Sequence, residues 1–143
     1  MYGIVLILHS LLRWAVLAAG LAAAVRGGVR NDIAGKWFTI LLDVQLLIGL
    51  LLYFALSPFT REALGDFGSA MGNSQLRFFA VEHVLGMVIA IALAHVGRRK
   101  VAKAPADRKA RLAAIFYGLA LVAILASIPW PGMPAGRPLF RWL

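Results

Sequence analysis

The chain reads as an all-α integral membrane protein, a bundle of four helices with both termini on the outer side. Three observations carry that reading. Of the 143 residues, 62% are hydrophobic, and the mean hydropathy is +0.82, whereas soluble domains are roughly half apolar. The apolar residues are gathered into four runs, roughly 2–25, 37–56, 76–96 and 112–128, each near the ~20 residues that cross a ~30 Å hydrocarbon core. The basic residues crowd into the first and third connections, as they do on the cytoplasmic side of a multi-pass protein. The whole chain is then one membrane domain, 1–143, with the two basic connections in the cytoplasm.

Run 1 opens Met1-Tyr2-Gly3-Ile4 and is interrupted by His9, Ser10 and Arg13. It lacks a basic leader and a clean apolar stretch, so it reads as a retained helix rather than a signal peptide. It ends at Arg26-Gly27-Gly28, a helix stop followed by a flexible turn. Trp37 and Phe38 stand where interfacial aromatics are expected, and run 2 closes at Ser57-Pro58. The second connection, 58–75, is the longest, with Gly65, Gly68 and Gly72 and the acids Glu62 and Asp66. Asn73-Ser74 caps run 3. That run exits into Gly97-Arg98-Arg99-Lys100, and Pro105-Ala106-Asp107 turns the chain into run 4. Run 4 stops at Ser127-Ile128-Pro129-Trp130-Pro131, where proline cannot continue a helix. The tail, 132–143, is too short to cross again and is expected on the external face.

The net charge of +9 is an orientation signal. Arg26, Arg30 and Lys36 fall in the first connection, and Arg98, Arg99, Lys100, Lys103, Arg108, Lys109 and Arg111 in the third. Only Arg61, Arg77, Arg137 and Arg141 fall on the opposite side, with Arg13 inside the first helix. This placement argues against nucleic acid as a partner and for contact with the lipid bilayer, including its anionic lipids. The absence of cysteine excludes disulfides, thiolate ligands, iron–sulfur clusters and covalent haem attachment.

His9 and His83 each lie about seven residues inside a run, on helices that travel in the same direction. At ~1.5 Å per residue both sit ~10 Å below the outer boundary. Histidine inside a membrane is costly and generally functional. Two at one depth could supply both axial imidazoles of one haem b, or they could be hydrogen-bonded glue between helices. Arg77, Arg137 and Arg141 are candidate partners for the propionates, and the tail could fold over the ring as a lid. Gly86 and Ala90 offer room beside His83. His95 falls ~18 Å further along and ~120° around the helix, at the interface beside Arg98. Arg13, one turn from His9, needs a partner at mid-membrane, and Asp43 with Gln45 comes to a similar level from the second run. An Arg13–Asp43 pair is therefore expected, either structural or part of a proton or quinone-headgroup site. Glu82 has Arg77, or the first two helices, as possible partners; it could hold an imidazole N–H or stand at the outer boundary. Met71, Met87 and Met133 are weaker ligand candidates. No residues are arranged as a catalytic set: there is no phosphate loop, nucleophile–base arrangement or hydrolytic carboxylate pair.

Four blocks, His9-Ser10-Leu11-Leu12-Arg13-Trp14, Gln45-Leu46-Leu47-Ile48-Gly49, Leu76-Arg77-Phe78-Phe79-Ala80-Val81-Glu82-His83 and Ser127-Ile128-Pro129-Trp130-Pro131, together resemble a family of small bacterial four-helix membrane proteins labelled cytochrome b-like. The resemblance covers nearly the whole chain. More distantly the chain is similar to the cytochrome b561 type, which usually holds two haems with ligands near both membrane faces; three histidines are too few for that arrangement. Relatives in the small family often carry histidine at the place of Asp43, a departure that disfavours a second metal site. One haem between His9 and His83 would make the protein a one-electron carrier near the outer face, with quinol, superoxide or a redox protein as donor. The rival expectation is a haem-free accessory subunit of a larger respiratory or photosynthetic membrane complex, and a quinone site around Arg13, Asp43 and Gln45 without haem is a third.

Overall fold

A computed structural model describes residues 1–140. The elements are α1 (Tyr2–Arg26), a 3₁₀ turn (Arg30–Asp32), α2 (Ile33–Leu51) running directly into a π turn (Leu52–Leu56), α3 (Pro58–Gly65), α4 (Phe67–Gly72), α5 (Ser74–Arg77), a second π turn (Phe78–Glu82), α6 (His83–Lys103) and α7 (Ala106–Ser127). No strand occurs among the described residues. Four helical stretches are long and apolar enough to cross a membrane: Tyr2–Arg26, Ile33–Leu56, Ser74–Lys103 and Ala106–Ser127.

The spans are longer at the basic end than the hydropathy runs. The second begins at Ile33 rather than 37, the third continues to Lys103 rather than stopping at 96, and the fourth begins at Ala106 rather than 112. Lysine and arginine are good helix formers, and cations in a last turn complement the helix dipole. Arg98, Arg99, Lys100 and Lys103 therefore ride on the end of α6, and Arg108, Lys109 and Arg111 on the start of α7. Hydropathy locates the lipid boundary; the hydrogen-bonded helix runs past it. The connection 58–75 likewise folds further than its glycines suggest. Ser57 caps α3, with Pro58 in the first turn, Asp66 caps α4, and the Asn73 carboxamide accepts from Gln75 N (3.0 Å) and Leu76 N (3.2 Å) to start α5. Each cap supplies an acceptor to an otherwise unpaired first-turn N–H.

The spans form a ring in which α1 touches α2 and α7, and α6 touches α7 and α2. The two helices that carry His9 and His83 therefore face each other diagonally. Packing differs between the two ends of this ring. Toward the basic end the interior is solid: Val16, Phe38, Leu42, Ala90, Ala94, Ala113, Tyr117, Ala120 and Ile124 are buried in one cluster. Glycines let the helices approach there. A methyl group on Gly20 would stand 2.8 Å from Phe38, one on Gly27 2.4 Å from the Ala113 methyl, and one on Gly97 2.4 Å from Phe116, the small-residue contact typical of membrane helices. The first connection closes this end. Asn31 and Asp32 adopt left-handed backbone conformations (φ 58° and 57°), which short polar side chains tolerate. The buried Asp32 carboxylate accepts from Gly28 N (3.1 Å), Gly35 N (3.3 Å) and the Tyr117 hydroxyl.

Toward the terminal end the bundle is hollow. Gly27 packs on Ala113, so in the antiparallel register of α1 and α7 the helix end at Ser127 stands level with Arg13. The chain beyond it, from Ile128 to Phe140, has no regular helix. Irregular backbone at membrane depth survives only against protein or a cavity. Here Arg13 Nη2 donates to Leu139 O (2.7 Å), Phe140 stacks on Trp14 at 5.4 Å, and Ile128 and Pro129 line a cavity.

Candidate functional site: a histidine pair facing across a cavity

His9 lies two turns into α1. His83 is the first residue of α6 and follows the second π turn directly. A π turn adds a residue to the helical ring, re-aims the side chains that follow and leaves backbone carbonyls in need of donors. Both π turns are stitched by side chains: Tyr53 Oη donates to Ala80 O (3.0 Å), and Thr60 Oγ1 donates to Tyr53 O (2.6 Å).

The two imidazoles face each other with ring centroids 6.2 Å apart and planes crossed at 70°. His83 Nδ1 lies 2.7 Å from Ser127 O. A carbonyl only accepts, so Nδ1 carries the hydrogen and the Nε2 lone pair stays available. The sequence Ser127–Pro131 explains why this carbonyl is open. Its helical partner would be the N–H of residue 131, and Pro131 has none. The same logic holds for Leu125 O, whose helical partner would be Pro129; it accepts from Trp130 Nε1 at 2.8 Å instead. The Ser127-Ile128-Pro129-Trp130-Pro131 block is thus a device that ends α7 and redirects two of its carbonyls.

Two glycines shape the pair. A methyl group on Gly49 would stand 3.2 Å from His9 Cε1, so the ring lies against bare α2 backbone. A methyl group on Gly86 would fall 1.9 Å from Ser127 Oγ. Gly86 was expected to make room for a ring beside His83; it makes room for the end of α7. Gly49 was not expected to matter at all, although it stands one turn from Gln45 on the same face of α2.

The cavity around the pair has a volume of about 190 Å³. His9, Arg13, Gln45, His83 and Arg137 line it together with Ser10, Tyr53, Thr60 and a mainly apolar wall. Leu50 and Val88 also line it, yet are 39% and 51% exposed. The cavity therefore opens sideways between the second and third spans, toward the bilayer. Arg137 closes part of the terminal side, its guanidinium 4.5 Å from the Phe59 ring centre and 5.1 Å from that of Phe79. Gln45 Nε2 donates to His9 O (2.9 Å). His9 Nδ1, Arg13 Nε and Gln45 Oε1 are buried with no hydrogen-bond partner among the described residues.

No protein family, curated protein or solved structure matches the chain.

The other expected site residues fall elsewhere. Arg13 does not pair with Asp43. Its guanidinium holds Leu139 O and lies 5.2 Å from the Trp14 ring centre, while Asp43 Oδ1 is 2.8 Å from His95 Nε2. The reason is angular: residues two apart on a helix point about 200° away from each other. Gln45 faces α1, so Asp43 faces α6. Arg77 Nε donates to Glu82 Oε1 (2.7 Å) and Arg77 Nη1 to Met71 O (3.0 Å), and neither residue lines the cavity. Glu82 therefore has the partner expected at the helix start and does not orient an imidazole; the Ser127 carbonyl does. His95 sits beside Arg98 at the basic end. Arg141 lies outside the described residues.

The arrangement can be tested against a metal group held by two imidazoles. Two imidazoles with centroids 6.2 Å apart on one cavity, His9 Nδ1 being buried without a partner among the described residues, are the donors that would hold such a group. The donated Nδ1 hydrogen on His83 fits too, since ligating histidines almost always give their second N–H to a carbonyl or carboxylate. Among the described residues no group of three or more histidine or carboxylate side chains gathers to hold an ion; the fit is to a two-imidazole group.

Proposed function

We propose that this protein is a multi-pass membrane cytochrome of b type, holding one haem between His9 and His83 and passing single electrons. The observation that supports this most is the facing pair itself: two imidazoles 6.2 Å apart across a cavity, one with its tautomer set by a main-chain acceptor. Haem b, when bound, supplies a one-electron iron couple. His9 and His83 would hold it through their imidazoles. The Ser127 carbonyl holds the proton on His83 Nδ1, which keeps Nε2 basic. The apolar wall excludes water, and Arg137, which lines the cavity, is the cation suited to a propionate. A haem held by two imidazoles would favour electron transfer over oxygen activation. We further propose the bacterial inner membrane as its location, with both termini and the histidine pair toward the outer side, because the basic residues crowd the other end.

The test is a reduced-minus-oxidised visible spectrum of the purified full chain, with His9→Ala and His83→Ala alongside. The expected result is α- and β-bands in wild type that are lost or shifted to a high-spin form in each variant. A folded wild type without haem bands would refute the proposal, and bands unchanged in both variants would refute the ligands.

A further inference from the structure

A second pocket lies apart from the histidine pair, at the basic end of the third span. It measures about 290 Å³ and is lined by His95, Arg98, Arg99 and Ala102. Two of its walls are fixed by contacts to α2. Arg98 Nη1 donates to Thr39 Oγ1 at 3.3 Å, and Thr39 is itself held by Gly35 O (3.1 Å) and Lys36 O (2.9 Å). His95 Nε2 meets Asp43 Oδ1 at 2.8 Å. Arg98 thus keeps its remaining N–H groups for another acceptor, and Ala102, one turn on, leaves the space above it open. Arg98 and Arg99 line the pocket and no carboxylate among the described residues does, Asp43 being engaged by His95, so the pocket is positively charged. Along the same α2–α6 seam toward the terminal end, Leu46, Leu50, Val88 and Ile91 form an apolar track that reaches the lipid-facing surface.

We propose that this pocket binds an anionic phosphate ester, the headgroup of an anionic phospholipid, with its acyl chains laid along the α2–α6 seam. Planar guanidinium groups grip phosphate oxygens in a fork, and basic pockets between membrane helices are sites for anionic headgroups. The position of the pocket favours a lipid over free phosphate, because an apolar track leads directly away from it. The headgroup pocket shares no residue with the histidine pair's cavity, whereas the seam residues Leu46, Leu50, Val88 and Ile91 line that cavity as well.

Native mass spectrometry of the intact chain, released from detergent micelles doped with phosphatidylglycerol or phosphatidylcholine, tests it. Wild type is expected to retain one phosphatidylglycerol in preference to phosphatidylcholine, and millimolar inorganic phosphate is expected not to displace it. Arg98→Gln/Arg99→Gln is expected to bind phosphatidylglycerol roughly 30-fold more weakly, while Arg108→Gln/Arg111→Gln, on exposed positions of α7, binds it as wild type does. Arg98→Lys/Arg99→Lys keeps the charge but loses the fork, and is expected to fall between; it decides the matter if the glutamine variant does not fold. Equal retention of the two lipids, or unchanged retention in the Arg98 and Arg99 variants, would overturn the site. Displacement by inorganic phosphate would overturn its assignment to a lipid.

Discussion

Replacing Gly86 by alanine tests how closely the fold and the histidine pair are coupled. The added methyl group would stand 1.9 Å from Ser127 Oγ and 3.1 Å from Ser127 Cβ. Ordinary contact needs well over 3 Å, so the oxygen must move by more than 1 Å or α6 and α7 must separate. Ser127 Oγ is committed to Ala123 O at 2.7 Å, which limits its escape. Overpacking of this kind costs about 1–3 kcal/mol. Any shift of the Ser127 backbone also weakens the 2.7 Å contact to His83 Nδ1, a hydrogen bond worth about 1 kcal/mol. The expected total for Gly86→Ala is about 2–4 kcal/mol, read as a loss of thermal stability in detergent. If the chain carries haem as proposed, the midpoint potential should rise as well, because a less basic imidazole stabilises the oxidised iron less. The diagnostic variant is Gly86→Ala with Ser127→Ala. Removing the hydroxyl relaxes the closest approach from 1.9 to 3.1 Å and leaves the main-chain acceptor in place. Most of the lost stability should return, a strongly non-additive double-mutant cycle. Full stability in Gly86→Ala alone, or additive losses in the double variant, would refute the reasoning.

Two further outcomes follow from the closures at the opposite ends of the bundle. Gly35→Ala places a methyl group 2.1 Å from Tyr117 Oη and 2.4 Å from Asp32 Oδ2; separating that buried pair should cost about 3–5 kcal/mol, seen as a marked drop in unfolding temperature, and a change below 1 kcal/mol would contradict the packing described. In the connection at the terminal end, the hydroxyl and backbone N–H of Ser69 hold the Asp66 carboxyl below its ordinary value; a folded-state value below the unfolded one means the cap of α4 contributes fully above the ordinary carboxylate range and is lost as pH falls through the folded value, so amide exchange at Ser69 should quicken on acidification and Asp66→Asn should abolish that dependence.

The four spans were legible because lipid demands long apolar helices, and the stop at Pro129 and the cap at Asn73 follow from elementary backbone chemistry. Placing His9 and His83 together needed only helix rise and a common direction, and the structure puts the rings in contact range. Their partners were harder. The Arg13–Asp43 expectation matched depth and ignored azimuth: two residues along α2 separate Asp43 from Gln45, enough to turn one to α6 and the other to α1. The caps in 58–75 were readable in Ser57-Pro58 and Asp66, but glycine content masked them. Ser127 escaped notice because its contribution is a main-chain atom, visible only by asking which carbonyl a proline four residues later leaves without a donor. The role of Gly49 depends on the angle at which α1 crosses α2, which no local pattern encodes.

The carbonyl that orients His83 has a consequence for variation. Being main chain, it persists through every side-chain exchange at residue 127, so drift at that position cannot rotate the imidazole unless the new side chain also displaces the helix end. Two prolines guard it from a distance: Pro129 stops α7, and Pro131 has no N–H to give the Ser127 oxygen, so both must be replaced before a helical donor competes with His83. Tolerance should therefore be broad at the residue that makes the contact and also at either proline taken singly, and should fail only when both prolines are lost together.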